Sequence, residues 1–297
     1  MSSSQAAVGG HPKGFGATMR PDRWWVSPLL VLGGLSAFVV YATWAAFQGN
    51  HYFAEGSYLS PFYSPMLWLN DCAEWVKQLG LSNPDALAAL KKHTWISNTE
   101  PSWWPKSLVL FSPALLILII PGSFRVTCYY YRKAYYRAFS GSPAGCAVVP
   151  MAAGKRKYRG ETKWLLVQNL HRYALYLALL YIPILGYDAV MGFLKWNGSG
   201  YVFGVGVGSL VLTANVFLLA SYTFGCHSLR HLIAGRFDCM TCPKGRPTTR
   251  HWFWKRVTFF NERHQLCAWL SLFWVMFTDL YVRLVSSGIW TDFNTWS

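Results

Sequence analysis

Apolar and polar positions fall in long blocks along this chain rather than at the short periods of a water-soluble fold. Five apolar blocks stand out: Val26 to Phe47, Ser107 to Phe124, Trp164 to Leu194, Gly200 to Leu232 and Val257 to Leu284. The first runs 22 residues without a charge, enough helix to cross a hydrocarbon core of about 30 Å. Trp24-Trp25 and Trp103-Trp104 mark interfacial approaches to the first two blocks. The pattern predicts an all-α integral membrane protein with five transmembrane helices over residues 25–290, preceded by a flexible, Gly/Ser-rich tail at 1–24. No small-residue cleavage site follows the first block, so no removed signal peptide is expected. Residues 48–103 are mixed in character and predict an extramembrane insertion with short helices, one of them from Asp85 to Lys92. Pro121-Gly122 predicts a kink at the exit of the second span. Gly204, Gly206 and Gly208 predict close helix packing in the fourth.

The polar blocks orient the spans. Residues 125–163 carry Arg125, Arg132, Lys133, Arg137, Lys155, Arg156, Lys157, Arg159 and Lys163 against one acid, Glu161, and residues 234–256 are again basic. With five spans these two loops and the N-terminal tail share one side. The Lys/Arg bias puts that side in the cytoplasm and the C-terminus outside, as in a multi-pass protein of a bacterial cytoplasmic membrane. Composition agrees: 53% hydrophobic and 13% charged residues exclude an ordinary soluble domain. The net charge of +15 then reads as cytoplasmic loops facing anionic lipid or an acidic partner, not as nucleic-acid binding. Seven cysteines, most on the reducing side, point to free thiols or metal ligation rather than a disulfide framework.

Ionisable groups near the cytoplasmic ends of the spans are the candidate chemistry. Counted at 1.5 Å per residue, Cys128, His171, Cys226 and His264 each lie about 10 Å inside a helix end, on four different spans. Intramembrane ionisable residues are functional candidates. Two thiolates and two imidazoles suit a Rieske-type [2Fe–2S] cluster, and two histidines on different helices suit a b-type haem. His227 and His231, spaced i and i+4, share a face and are alternative ligands or supporting donors. Cys239-Met240-Thr241-Cys242 is a Cys-x-x-Cys pair in a loop and a further alternative ligand pair. The run Cys128 to Arg137 is aromatic and basic, which suits a quinone headgroup, an acidic subunit or an interfacial anchor. Tyr129, Arg172 and Arg230 are the candidate quinone contacts. Asp188, Asp279 and Arg283 lie toward the far side, where an Asp–Arg pair tying two helices is expected. A structural or transport protein whose Cys and His only pack helices is the reading from another class.

Five motifs carry a resemblance: Thr127-Cys128-Tyr129-Tyr130-Tyr131-Arg132-Lys133-Ala134-Tyr135-Tyr136-Arg137, Tyr158-Arg159-Gly160-Glu161-Thr162, Gln168-Asn169-Leu170-His171-Arg172-Tyr173, Gly225-Cys226-His227-Ser228-Leu229-Arg230-His231 and Asn261-Glu262-Arg263-His264. Over roughly residues 100 to 290 the chain resembles the membrane-anchor subunit of the actinobacterial-type succinate dehydrogenase, respiratory complex II. The resemblance implies a five-helix anchor with a flavoprotein and an iron–sulfur subunit docked on its cytoplasmic face. It also implies a membrane-embedded Rieske-type cluster in place of haem b, and delivery of electrons to a quinone, expected to be menaquinone. The chain itself is expected to carry no succinate chemistry.

Overall fold

A computed structural model describes residues 14–69, 84–99, 101–104, 113–151, 165–197, 199–235 and 249–296. The expected Cys239 and Cys242 pair, Cys72, residues 152–163 of the first basic loop and 236–248 of the second lie outside these residues. Among the described residues the chain is largely helical. In order it forms α1 (Val26–Gln48), β1 (Phe53–Ala54), β2 (Tyr58–Leu59), β3 (Met66–Trp68), α2 (Pro84–Lys92), β4 (Thr94–Ser97), α3 (Pro113–Thr127), α4 (Tyr129–Phe139) and α5 (Leu165–Met191). Then follow β5 (Leu194–Trp196), β6 (Tyr201–Phe203), α6 (Val207–Phe224), α7 (His227–Ala234), α8 (Thr249–Glu262) and α9 (His264–Ser286).

Four helices, α1, α5, α6 and α9, are each long and apolar enough to cross a membrane. The pair α3–α4 passes together but is bent by 79°. Leu30, Val40, Leu180, Phe217 and Leu266 stand exposed on their outer faces, as a lipid environment allows. Three of the five expected spans are interrupted. The second runs past both Pro121-Gly122 and its expected end at Phe124: helix α3 continues to Thr127 and the chain turns at Cys128. The fourth breaks at Gly225-Cys226, and the fifth divides at Arg263 into α8 and α9. A hydropathy block records apolar length, and the breaks at Cys128 and Gly225-Cys226 carry no charge for it to register; the Glu262-Arg263 break does, close to the start of its block.

The insertion at 48–103 is not simply helical. It contains two of the three short sheets: an antiparallel β1–β2 hairpin with Phe53 opposite Leu59, and a parallel β3–β4 pair with Met66 opposite Thr94. The third is an antiparallel β5–β6 pair with Lys195 opposite Val202. The three-residue β1–β2 turn, Glu55-Gly56-Ser57, holds Glu55 and Gly56 at positive φ. These segments form a cap over one end of the helices, burying Phe53, Tyr58, Leu59 and Phe62. Gly206 and Gly208 serve this cap. Each is pressed against Tyr58, so a Cβ there would collide with its ring or hydroxyl, and their contact is with the cap rather than a neighbouring span.

Asp279 gathers the cap onto the helices. It pairs with Arg283 one turn on (2.6 Å), accepts from Tyr41 Oη on α1 (2.7 Å), and accepts from Ser60 Oγ in the cap. Arg283 also donates to the carbonyls of Ala45 (2.8 Å) and Asn50 (2.9 Å). The expected Asp–Arg pair therefore lies within one helix, and its remaining bonds do the tying. Asp188 accepts from Ser64 Oγ and stands 3.5 Å from His93 Nδ1. At the opposite end, part of the expected flexible tail is ordered. Gly16 N–H donates to Val149 O and Val149 N–H to Ala17 O, both at 3.0 Å, and Arg20 donates to Cys146 O at 2.9 Å.

Candidate functional site

The end of the bundle away from the cap holds the helix breaks, and the breaks hold the chemistry. Cys128 and Cys226 occupy the same local position: each is the N-cap of a short helix that follows a spanning one, with nearly identical backbone angles (φ −61°, ψ 130° and φ −64°, ψ 133°). His264 is the first residue of α9, directly after the third break. His171 lies within α5, the one unbroken helix of the four.

These four side chains meet. His171 Nε2 stands 3.1 Å from Cys226 Sγ, and His264 Nε2 stands 3.6 Å from Cys128 Sγ. The two Cys–His pairs adjoin: Cys128 and Cys226 pack in one buried cluster, and the Phe124 and Tyr222 rings stand 5.4 Å apart between centroids. Cys128, Cys226 and His171 are buried. Phe124 stacks on His171 (4.8 Å between centroids) and Tyr222 on His264 (4.9 Å). The set expected from a depth count is therefore assembled, though by a different route. His264 begins a helix instead of lying seven residues inside one, and both thiols sit between helices.

The neighbours fix how the imidazoles present themselves. Thr127 Oγ1 donates its single proton to Ser123 O (2.7 Å), the back-bond to the preceding turn that threonine makes inside helices. Its oxygen can then only accept at the 2.9 Å contact with His171 Nδ1. His171 therefore carries its proton on Nδ1 and turns a free Nε2 lone pair toward Cys226. A hydrogen bond to the outer ring nitrogen is how proteins orient histidine ligands. Asn261 Nδ2 donates to Gly225 O (2.8 Å), tying α8 to the α6–α7 break. Gly225 leaves no room: a Cβ would stand 2.8 Å from Phe260 O and 3.1 Å from His264 Nδ1. Two buried polar atoms at the site, Tyr222 Oη and His264 Nδ1, have no hydrogen-bond partner among the described residues.

The donor set fits a two-iron cluster better than a single ion. Among the described residues no three His, Cys, Asp or Glu side chains converge as a single-ion site. A [2Fe–2S] cluster with two Cys and two His spreads four ligands over two irons, and two adjoining pairs meet that need. Both Nε2 atoms face a thiol, which does not suit a haem plane held between two imidazoles. The other candidates lie elsewhere. His227 and His231 are exposed and face one another, Nε2 to Nε2 at 3.1 Å. Cys267 is half-buried and packs in the surrounding core, and Cys146 is exposed.

A cavity of about 450 Å³ opens beside this site between α1, α3, α4, α5, α6 and α9. Its lining is apolar except for a few groups, among them Arg125, Tyr131, Tyr181 and Tyr222. Its size is that of a small-molecule pocket. None of the expected quinone contacts lines it: Tyr129 and Arg172 are exposed, and Arg230 lies over the Trp254 ring at 4.7 Å. Arg125, expected in a cytoplasmic loop, is instead in the last turn of α3, where it lines the cavity.

Comparison with known proteins agrees with this architecture. The family model for the actinobacterial succinate dehydrogenase subunit SdhC matches residues 26–288. A chain of the solved Mycobacterium smegmatis Sdh1 complex in the apo form is 39% identical, with a TM-score of 0.75, over 100% of this chain and 98% of that one. No match is found among curated proteins. With the family matched over nearly the whole helical bundle, this chain belongs to the actinobacterial SdhC family and is the membrane-anchor subunit of succinate dehydrogenase.

Proposed function

We propose that this subunit binds a Rieske-type [2Fe–2S] cluster through Cys128, Cys226, His171 and His264 and holds a quinone, expected to be menaquinone, in the adjoining cavity. The observation that carries the reading is the meeting of two Cys–His pairs from four helices at one end of the bundle, each imidazole turning Nε2 to a thiol. When bound, such a cluster passes electrons singly between the iron–sulfur subunit and the quinone. The residues of this chain do the rest. Thr127 sets the His171 tautomer, Phe124 and Tyr222 hold the rings in register, and the apolar walls around Cys226 exclude water. Arg125 and Tyr131 are the polar groups placed to meet a quinone oxygen at the site end of the cavity.

The Lys/Arg bias of the basic loops supports a cytoplasmic position for this end, where flavoprotein and iron–sulfur subunits would dock against positive charge. The purified complex, reduced and frozen, is expected to give a rhombic Rieske-type paramagnetic signal, and His171→Ala and His264→Ala should each abolish it with loss of iron. A signal unchanged in both variants overturns the ligand assignment. A sharp reduced-minus-oxidised haem band in place of the signal selects a b-type haem.

A further inference from the structure

We infer that Arg125 is a counter-charge shared by the Cys/His tetrad and the cavity, a positioning residue that holds an electron's charge at this end of the bundle. The inference rests on the cluster reading above and adds the group that sets its electrostatics. Arg125 spends its donors on neutral acceptors only: Nη1 on Tyr131 Oη (2.6 Å) and Ala268 O (3.3 Å), Nη2 on Ser271 Oγ (3.0 Å). Among the described residues no carboxylate stands within ion-pair distance of it. The same fold shows the ordinary solution at Arg283, which faces Asp279 at 2.6 Å. A half-buried cation in a membrane protein without a carboxylate is costly, so its compensation must come from the groups it faces.

It faces the redox site. The guanidinium lies 4.8 Å from the Tyr222 ring centroid, and Tyr222 stacks on the His264 imidazole. Arg125 also lines the cavity, together with Tyr131 and Tyr222. Two ferric ions, two sulfides, two thiolates and two neutral imidazoles sum to zero charge. One added electron makes that sum minus one, and Arg125 favours the charged state over the neutral one. Each quinone takes two electrons, supplied through the iron–sulfur subunit from succinate, and two protons to become quinol. An electron passing from the tetrad to the cavity therefore stays near Arg125, which faces the first through Tyr222 and lines the second. That placement keeps the transfer from stranding charge in an apolar surround.

The test is potentiometric, on the purified complex carrying Arg125→Gln or Arg125→Lys. Gln keeps hydrogen-bonding capacity and removes the charge; Lys keeps the charge. Arg125→Gln should lower the ratio of reduced to oxidised centres at fixed potential about tenfold, a fall of about 59 mV for a one-electron couple. Arg125→Lys should titrate close to wild type. A Gln variant with full iron and an unshifted midpoint overturns the inference. If the Gln variant does not assemble, Arg125→Met, neutral and of similar length, takes its place, with the same fall expected and an unshifted midpoint overturning the inference; a fall of that size in Arg125→Lys, which keeps the charge, overturns it too. A wild-type complex lacking the rhombic signal would instead overturn the cluster reading beneath.

Discussion

Thr127 shows how much of the site depends on a residue that carries no chemistry of its own. Its proton is committed to Ser123 O, so it serves His171 Nδ1 only as an acceptor. Thr127→Val removes that acceptor while keeping the shape. On the cluster reading, iron retention in the purified complex should fall by roughly 10- to 100-fold, the usual loss when such a supporting bond to a metal-binding histidine is removed. Thr127→Ser should retain it, because serine keeps the acceptor oxygen. Equal iron in Thr127→Val and wild type would show that the tautomer is set elsewhere. The four tetrad residues were legible in the sequence because a thiol or imidazole near the end of an apolar span has few structural uses. Thr127 and Arg125 were not. Threonine is common in membrane helices, and an arginine just after an apolar block reads as the start of a basic loop until α3 is seen to run past Pro121.

At the scale of elements, helix breaks build the site, and one glycine permits one of them. Gly225 has ordinary φ (−74°), so its role is space rather than backbone freedom. Gly225→Ala would drive a methyl against Phe260 O and His264 Nδ1, with backbone on one side and a proposed ligand on the other. Overpacking of this kind costs about 1–3 kcal/mol. The variant complex should melt earlier and hold less iron; wild-type melting and iron content would show that α8 yields without cost. That four to five apolar stretches are long enough to cross a membrane was legible, since apolar length is a strong signal; the interruptions were not. Counting depth along unbroken helices placed Cys128, Cys226 and His264 at a common level by an inexact route. In the structure they share that level because three chain breaks occur at the same end of the bundle. The strands of the cap were equally hidden, because β1 and β2 are two residues each and leave no alternating pattern to read.

Over the whole molecule, two polar clusters sit at opposite ends of an apolar bundle and do separate work. The tetrad and Arg125 occupy one end. Asp279, Arg283, Tyr41 and Ser60 occupy the other, where the cap is fastened, and Phe62 of the cap reaches the cavity from that side. Asp279→Asn removes the charge facing buried Arg283, and breaking one half of such a pair costs about 3–5 kcal/mol. The double variant Asp279→Leu with Arg283→Leu should be less destabilised than either single change. It leaves no charge unpaired, and Ala45 O still accepts from Tyr63 Oη at 2.9 Å. Thermal melts of the purified complex check this order. The same variants separate the two ends. A loosened cap should raise the KM for quinone through the Phe62 wall while leaving the tetrad, and any paramagnetic signal from it, as in wild type. If Asp279→Asn instead erases that signal at temperatures where the complex remains folded, the ends are coupled through α9, the one helix that carries both His264 and Asp279.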